Sequence, residues 1–333
     1  MKILFRTSGG SNPKNELGMG HIYRCINLSK KLTSHKIHFL IEDFGSVTKL
    51  LKNNGLKVSK LNPGINEDED IKKTIRYVEK NNIDILIIDK YGLKNDYVKS
   101  LKEKVKTVVI TDLRNIHYNA DLVVNGFIGY NNSIKFNKYK TKCLLGPRYQ
   151  ILSNHSEKNN SRKKKFDLVL TLGGYDTKCI VEKILDFIIT KNYNFKILVI
   201  LGPATRKTKK ILKIEKQYKK NIKIIKETKR FQDEISKGEN GITAGGISTY
   251  EFARLNIPFG IICQYNHQLI TSREWAKRGI GENLGMFNVK LDNKIELFLE
   301  KINQNDMKLN SMRKNKFSDT KKIINEILRL KND

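Results

Sequence analysis

Asp84-Ile85-Leu86-Ile87-Ile88-Asp89-Lys90 is a short apolar run rich in β-branched residues and bounded by charge at both ends. It reads as a β-strand. The stretch before it, Asp70 to Lys80, carries Ile71, Ile75 and Val78 at helical spacing and reads as an amphipathic helix. The same alternation extends outward in both directions. Lys2 to Ser8, Ile37 to Glu42, Lys106 to Asp112 and Ala120 to Asn125 are further strand candidates, and His21 to Thr33 is a further helix. Strands alternating with Lys-rich helical stretches specify a parallel sheet covered by helices on both faces.

The alternation stops at Ser153 to Lys165, a polar run without apolar periodicity, and restarts beyond it. Phe166 to Leu172, Phe195 to Leu201, Ile222 to Lys226, Gly241 to Ala244 and Phe259 to Gln264 are the strands of this second half. A chain of 333 residues accommodates two such domains. The expected architecture is α/β: two Rossmann-like doubly wound domains facing a cleft. Residues 1–152 would form an N-terminal domain, 153–165 a linker, and 166–333 a C-terminal domain. That second domain would end in two closing helices between Asp292 and Lys331, with Ile323, Ile324, Ile327 and Leu328 as an apolar stripe.

Composition narrows the function classes. Apolar residues at 39% and charged residues at 29%, with only 5 Pro, describe a packed globular chain and exclude a disordered or collagen-like one. The four cysteines, Cys25, Cys143, Cys179 and Cys263, form no C-x-x-C pair, so neither a zinc site nor a disulfide framework is indicated. The N-terminal Met1-Lys2-Ile3-Leu4-Phe5-Arg6 meets charge too early for a signal peptide, and no apolar run is long enough to span a membrane. A cytoplasmic location is therefore expected. Lys plus Arg total 64 against 34 Asp plus Glu, a net charge of +30. Only 13 of those cations are Arg, and the lysines spread along the whole length. Base reading favours Arg, so nucleic acid is not expected as a partner.

Ligands of open α/β sheets sit beyond the carboxyl ends of the strands, so the residues that follow each strand are the candidates. After the first strand come Gly9, Gly10, Gly18 and Gly20, then His21 and Arg24 at the head of a helix. The spacing Gly18-Met19-Gly20-His21 lacks the third glycine of a dinucleotide fingerprint; the glycines instead allow close approach of backbone to ligand, with His21 beside it. Asp89 and Tyr91 follow the central strand and can bind sugar hydroxyls or hold a reacting water, though Asp89 can equally cap a turn. Asp112 stands in the same position on the next strand. In the second half, Gly173-Gly174-Tyr175-Asp176 and Gly245-Gly246-Ile247-Ser248-Thr249 put paired glycines between strand and helix, where N–H groups and small hydroxyls can receive a diphosphate. Glu251 lies where it can accept from ribose hydroxyls. Asn266 and Gln268 follow the last expected strand and point to the same end.

In this order, Lys2 to Arg6, Gly18-Met19-Gly20-His21 with Arg24, Asp89-Lys90-Tyr91-Gly92, Leu145-Gly146-Pro147-Arg148-Tyr149, Gly173 to Asp176 and Gly245 to Glu251 resemble one known group. The set looks like the UDP-2,4-diacetamido-2,4,6-trideoxy-β-L-altropyranose hydrolases of pseudaminic acid biosynthesis, a family related to spore-coat polysaccharide synthesis proteins. The resemblance spans roughly Lys2 to Gly285. It departs from the family at Lys90, where the family motif usually reads Asp-His-Tyr-Gly, and at Tyr175, where a small residue is common. The resemblance implies a glycosyltransferase-B fold, UDP held by the C-terminal domain, and a histidine in the G-x-G-H motif acting as base toward water.

On this reading the protein is expected to hydrolyse a UDP-activated diacetamido-trideoxy sugar with inversion. His21, Asp89 and Tyr91 would be catalytic. Gly18, Gly20, Arg24, Asp112, Asn266 and Gln268 would bind the sugar, and Gly173, Gly174, Asp176, Gly245, Gly246, Ser248, Thr249 and Glu251 would bind UDP. No D-x-D motif or carboxylate cluster points to a metal, and no cofactor is expected. The alternatives are a glycosyltransferase of the same fold, a sugar-nucleotide 2-epimerase, and a non-catalytic polyanion-binding protein.

Overall fold

The computed structural model describes residues 1–10, 19–42, 46–153, 164–176, 178–203, 205, 207–226, 228, 230–287, 292–307, 317 and 319–331. Gly18 and most of the expected linker 153–165 lie outside the described residues. The chain forms two compact units: Met1–Ser153 with Asn315–Asp333, and Asn154–Lys314.

In the first unit the elements run β1 (Lys2–Thr7), α1 (Gly20–Ser29), β2 (Lys36–Glu42), α2 (Ser46–Asn53), β3 (Lys57–Leu61), α3 (Glu67–Asn81), β4 (Ile85–Asp89), α4 (Asn95–Lys102), β5 (Lys106–Thr111), β6 (Leu122–Asn125), β7 (Ser133–Phe136) and β8 (Lys142–Leu145). The strands lie in the order β3-β2-β1-β4-β5-β6-β8-β7, all parallel except the edge strand β7, which runs antiparallel to β8. Every residue of β4 is buried, which explains its unbroken apolar run: a central parallel strand is covered on both faces. Helix α3 begins earlier than its apolar periodicity suggests, because Asn66 caps it by accepting from the Glu69 N–H at 2.8 Å, and four acidic residues complement its first turn.

The second unit runs β9 (Phe166–Thr171), α5 (Ile180–Thr190), β10 (Ile197–Leu201), α6 (Lys209–Gln217), β11 (Ile222–Lys226), α7 (Phe231–Ile235), β12 (Gly238–Ala244), α8 (Ser248–Arg254), β13 (Phe259–Cys263), α9 (Asn266–Lys277), β14 (Glu282–Met286) and α10 (Asp292–Asn303). Its six strands are parallel, in the order β11-β10-β9-β12-β13-β14. In both units the strand order reverses beside the first strand, which makes each a Rossmann-like doubly wound sheet. Ile295, Phe298, Leu299 and Ile302 of α10 complete the second unit's core.

The last helix, α11 (Thr320–Arg329), corrects the expected domain assignment. Ile323 and Ile327 are fully buried in the core of the first unit, with Ile3, Phe5, Leu144 and Tyr149, and Ile324 and Leu328 pack against them. Two ion pairs fix it there, Lys142 to Glu326 at 2.6 Å and Arg148 to Asp319 at 2.7 Å. The apolar stripe was legible because amphipathic periodicity is local. Its partner was not, because a stripe states only that a helix packs and not against what.

Candidate active site

The carboxyl ends of β1, β4 and β5 carry a compact charged cluster. Asp89 ends β4 with no exposed surface. Arg24, one turn along α1 and itself buried, grips it as a fork: Nε donates to Oδ2 and Nη2 to Oδ1, both at 2.6 Å. His21 Nδ1 lies 2.6 Å from the same Oδ1. A carboxylate can only accept, so this contact places the ring proton on Nδ1 and leaves Nε2 as the acceptor. The His21 side chain keeps 23% of its surface exposed, so the ring is not sealed in the core. Arg24 Nη1 stands 2.9 Å from Asp112 Oδ2, an ion pair whose angles miss a hydrogen bond. Burial pushes the Asp89 carboxyl up, but the charges of Arg24 and His21 and their hydrogen bonds outweigh it and hold the group below the usual carboxylate range.

Helical spacing accounts for this constellation. His21 and Arg24 are three apart on α1 and therefore share a face, and β4 and β5 are neighbours in the sheet, so Asp89 at the end of β4 and Asp112 just beyond β5 lie at the same end, where Arg24 reaches both. The structure thus brings together His21, Arg24, Asp89 and Asp112. Gly20 is the first residue of α1 beside them. Tyr91 does not join: its ring is 60% exposed, and among the described residues it makes no hydrogen bond to His21, Arg24 or Asp89. Its backbone N–H donates to Ser8 Oγ at 3.2 Å, which ties the turn after β4 to the end of β1.

Behind this cluster lies a second one that the sequence reading did not assign. Arg6 of β1 forks Asp70 of α3, Nε to Oδ1 at 2.9 Å and Nη2 to Oδ2 at 2.6 Å, and reaches Glu42 at 2.9 Å. Lys90 Nζ adds 2.7 Å to Asp70 Oδ2 and sits over the Tyr97 ring. Burial raises the Asp70 carboxyl, yet Arg6 and Lys90 overcome it and hold it at about 2. Burial and then the charge of Arg6 lower the Lys90 amine. Arg6 offered a signal, a cation inside an apolar strand, which must find a buried partner.

In the second unit the glycine loops divide by function. Gly173 has φ +76°, a left-handed conformation suited to glycine, and a side chain there would meet open space. Gly246 is likewise open, but its N–H donates to the Ala244 carbonyl at 2.8 Å. A side chain at Gly245 would strike Gln268. Gln268 does not present its carbonyl oxygen to a ligand, since Oε1 accepts from the Gln264 N–H at 2.8 Å. Thr249 Oγ1 donates to the Gly246 carbonyl at 2.7 Å. Asp176 places both oxygens on the start of α5, accepting from the N–H groups of Ile180 and Val181 at 2.9 Å each, so its carboxylate already occupies the place a diphosphate would take there. Ser248 is half-buried, Asn266 is exposed, and Glu251 is buried in α8 within 3.4 Å of Gln232 Nε2.

Two residues of this loop region were missed. Gln264 Nε2 donates to the carbonyls of Leu172 and Tyr175, both at 3.2 Å, and so holds the Gly173-Gly174 turn. Gly202, just after β10, must be glycine because a Cβ would run into the carbonyl oxygens of Gly173 and Gly174. Both end or follow expected strands, so the strand-end rule that found Asp89 applies equally to them. Among the described residues no three His, Cys, Asp or Glu side chains are grouped to hold a metal ion, and no helix is long and apolar enough to cross a membrane.

No protein-family model matches the chain. It is 30% identical over 297 residues to an uncharacterized protein of Methanocaldococcus jannaschii, covering 84% of this chain and spanning only 59% of that relative's length. It is 27% identical over 286 residues to the spore coat polysaccharide biosynthesis protein SpsG of Bacillus subtilis, covering 81% of each chain. It is 22% identical over 284 residues to the UDP-2,4-diacetamido-2,4,6-trideoxy-beta-L-altropyranose hydrolase of Campylobacter jejuni, covering 84% of this chain and 97% of the relative. Among solved structures, Acinetobacter baumannii MurG superposes with a TM-score of 0.64 at 11% identity, covering 99% and 100% of the two chains. The S. aureus MnaA–UDP structure superposes with 0.60 at 12%, covering 99% and 97%. These structures share the two-domain Rossmann-like fold of the glycosyltransferase-B type. The chain is thus similar over most of its length to the UDP-2,4-diacetamido-2,4,6-trideoxy-beta-L-altropyranose hydrolase of C. jejuni and to SpsG, and it shares the fold of these solved structures.

Proposed function

We propose that this protein hydrolyses a UDP-activated 2,4-diacetamido-2,4,6-trideoxy sugar to UDP and the free sugar, with His21 as the base that activates water. The observation that carries the reading is the orientation of His21. Its Nδ1–H is committed to Asp89, and Arg24 locks Asp89 in turn, so Nε2 is the only ring atom that can take a proton. One guanidinium and two carboxylates stand around the ring, so the positive charge that develops on it as water gives up its proton is met by a local surplus of negative charge. Water attacks the anomeric carbon and its proton passes to Nε2. The bond from that carbon to the diphosphate oxygen breaks, its electron pair leaves with UDP, and attack on the opposite face gives inversion through an oxocarbenium-like transition state.

The second unit supplies the nucleotide site. N–H groups at Gly173, Gly174 and Gly245 and the Ser248 hydroxyl meet the diphosphate, and Glu251 meets the ribose. Asp176, Gly246, Thr249 and Gln268 shape these loops through the bonds described above. The relatives support a nucleotide-sugar enzyme, one of them being named as the UDP-sugar hydrolase.

The test is incubation with candidate UDP-sugars in the absence of any acceptor, with release of UDP and the anomeric configuration of the sugar followed by NMR. Release without acceptor, with inverted configuration, supports hydrolysis. Release only when an acceptor alcohol is added assigns the same site to glycosyl transfer and overturns the reading.

A further inference from the structure

The edge strand β7 exposes an apolar pair. Ile134 is 43% and Phe136 69% exposed, and residues two apart on a strand share one face. Between Asp121 and Glu157 the sequence has no acidic residue but carries Lys135, Lys138, Lys140, Lys142 and Arg148. Lys142 and Arg148 pair with Glu326 and Asp319 of α11. Among the described residues no carboxylate pairs with Lys135, Lys138 or Lys140.

The sheet register places this patch. Ile134 pairs with Leu144 and Phe136 with Lys142, the first residue of β8, so the apolar pair runs along the outer edge of β8 and the turn after it lies toward the amino-terminal end of the parallel strands. That end is basic for a second reason. Five of the seven parallel strands of the first unit open on lysine: Lys2, Lys36, Lys57, Lys106 and Lys142. Asp84 and Asp121, which precede β4 and β6, are turned to backbone N–H groups of Lys2 and Thr107, both at 2.7 Å. The His21 cluster occupies the opposite, carboxyl-terminal end of the same sheet.

We propose that this amino-terminal end of the first unit docks on an anionic phospholipid surface, with Ile134 and Phe136 entering the interface and the lysines facing the headgroups. An apolar pair flanked by lysines that no carboxylate neutralises among the described residues matches a surface that is negative outside and apolar beneath, and each lysine near such a surface adds attraction. Pairing of β7 with its counterpart on a second copy would bring Lys135 of each copy together, and a lysine on an edge strand opposes that contact. An RNA would satisfy the lysines but not the aliphatic Ile134. Docked this way, the protein keeps the His21 end open to a soluble substrate. This inference does not depend on the reaction proposed above.

The full chain should co-sediment with phosphatidylglycerol vesicles and not with phosphatidylcholine vesicles. Ile134→Ser with Phe136→Ser should weaken that partition by at least about ten-fold, since each removes a buried apolar side chain from the interface. The thermal midpoint and far-UV circular dichroism should be unchanged, showing the variant is folded. If the double variant is destabilised, Phe136→Trp supplies the second measurement: Trp275 is buried and its emission should not respond to vesicles, so a blue shift seen only with anionic vesicles reports the new indole. Absence of sedimentation, equal binding of the double variant, no blue shift, a dimer abolished by the two substitutions, or displacement of the protein from vesicles by RNA at that strand would each overturn the proposal.

Discussion

Arg24 holds both oxygens of Asp89, each at 2.6 Å, and the oxygen bonded to Nη2 is the one that also receives His21 Nδ1. The position of the histidine is therefore set at second hand. The guanidinium orients the carboxylate, and the carboxylate orients the ring.

Arg24→Lys keeps the charge but offers one donor direction where two are used. Asp89 should then turn, and His21 with it, so kcat should fall by about 10²-fold as expected for a misplaced catalytic group while UDP affinity is retained. Arg24→Met should cost more, about 3 to 5 kcal/mol of stability, because it leaves Asp89 buried without its cation. Steady-state kinetics and chemical denaturation separate the two effects. A lysine variant with wild-type kcat would show that the fork is irrelevant to turnover.

His21→Asn preserves a polar side chain able to reach Asp89 but removes the proton acceptor. The expected result is a kcat lower by about 10² to 10⁴ with UDP binding intact. Isothermal titration with UDP and a single-turnover assay check both halves. Near-normal turnover would shift the base to another group, with Asp112 next in line.

Acid should weaken the first unit through Asp70. Its carboxyl sits at about 2 in the folded chain against an ordinary 3.8. Because the folded value is depressed, the contribution is complete above 3.8 and is lost as pH falls from there toward 2, amounting to about 2 kcal/mol by linkage. Asp70→Asn should reduce stability at neutral pH by a similar amount and flatten the dependence across that window. Urea denaturation at several pH values measures it, and an unchanged slope in the variant would exclude the Arg6–Asp70 pair as the cause.

Gly202→Ala should disturb the Gly173-Gly174 loop, the proposed diphosphate site, from behind. Its methyl would displace the Gly173 and Gly174 carbonyls, costing about 1 to 3 kcal/mol of stability as overpacking does and reducing UDP-induced thermal stabilisation. Gly246→Ala, which meets open space, is the control expected to leave stability nearly unchanged. Equal behaviour of the two would argue against steric support of the loop.

Ile327→Ala should destabilise the first unit by about 2 to 5 kcal/mol, since the residue is fully buried in that core. Limited proteolysis followed by mass spectrometry should show earlier cutting within residues 1–153, with fragments of the second unit persisting. Preferential loss of the second unit would contradict the placement of the last helix.

The sequence by itself determined the alternation of strands and helices and the two-fold repetition of that pattern. With the rule that parallel sheets bind ligand at their carboxyl ends, it also singled out His21, Asp89 and Asp112. These features are local. Periodicity over ten residues fixes which face is apolar, and the end of a strand is visible where the apolar run stops. Only the tertiary structure decided which charges meet. Arg6 and Asp70 are 64 residues apart and Arg24 and Asp89 are 65 apart; the second pairing exists because β4, which ends in Asp89, lies beside β1, which leads into α1, and the first because α3 is brought back over β1. The same holds for Asp176, which reads as a ligand in a glycine-rich loop until the start of α5 is seen to use both its oxygens. It holds again for α11, whose stripe closes the unit formed by the first half of the chain. A side chain's chemistry is written in the sequence, but what it bonds is set by strand order and helix placement, which depend on the packing of the whole core at once.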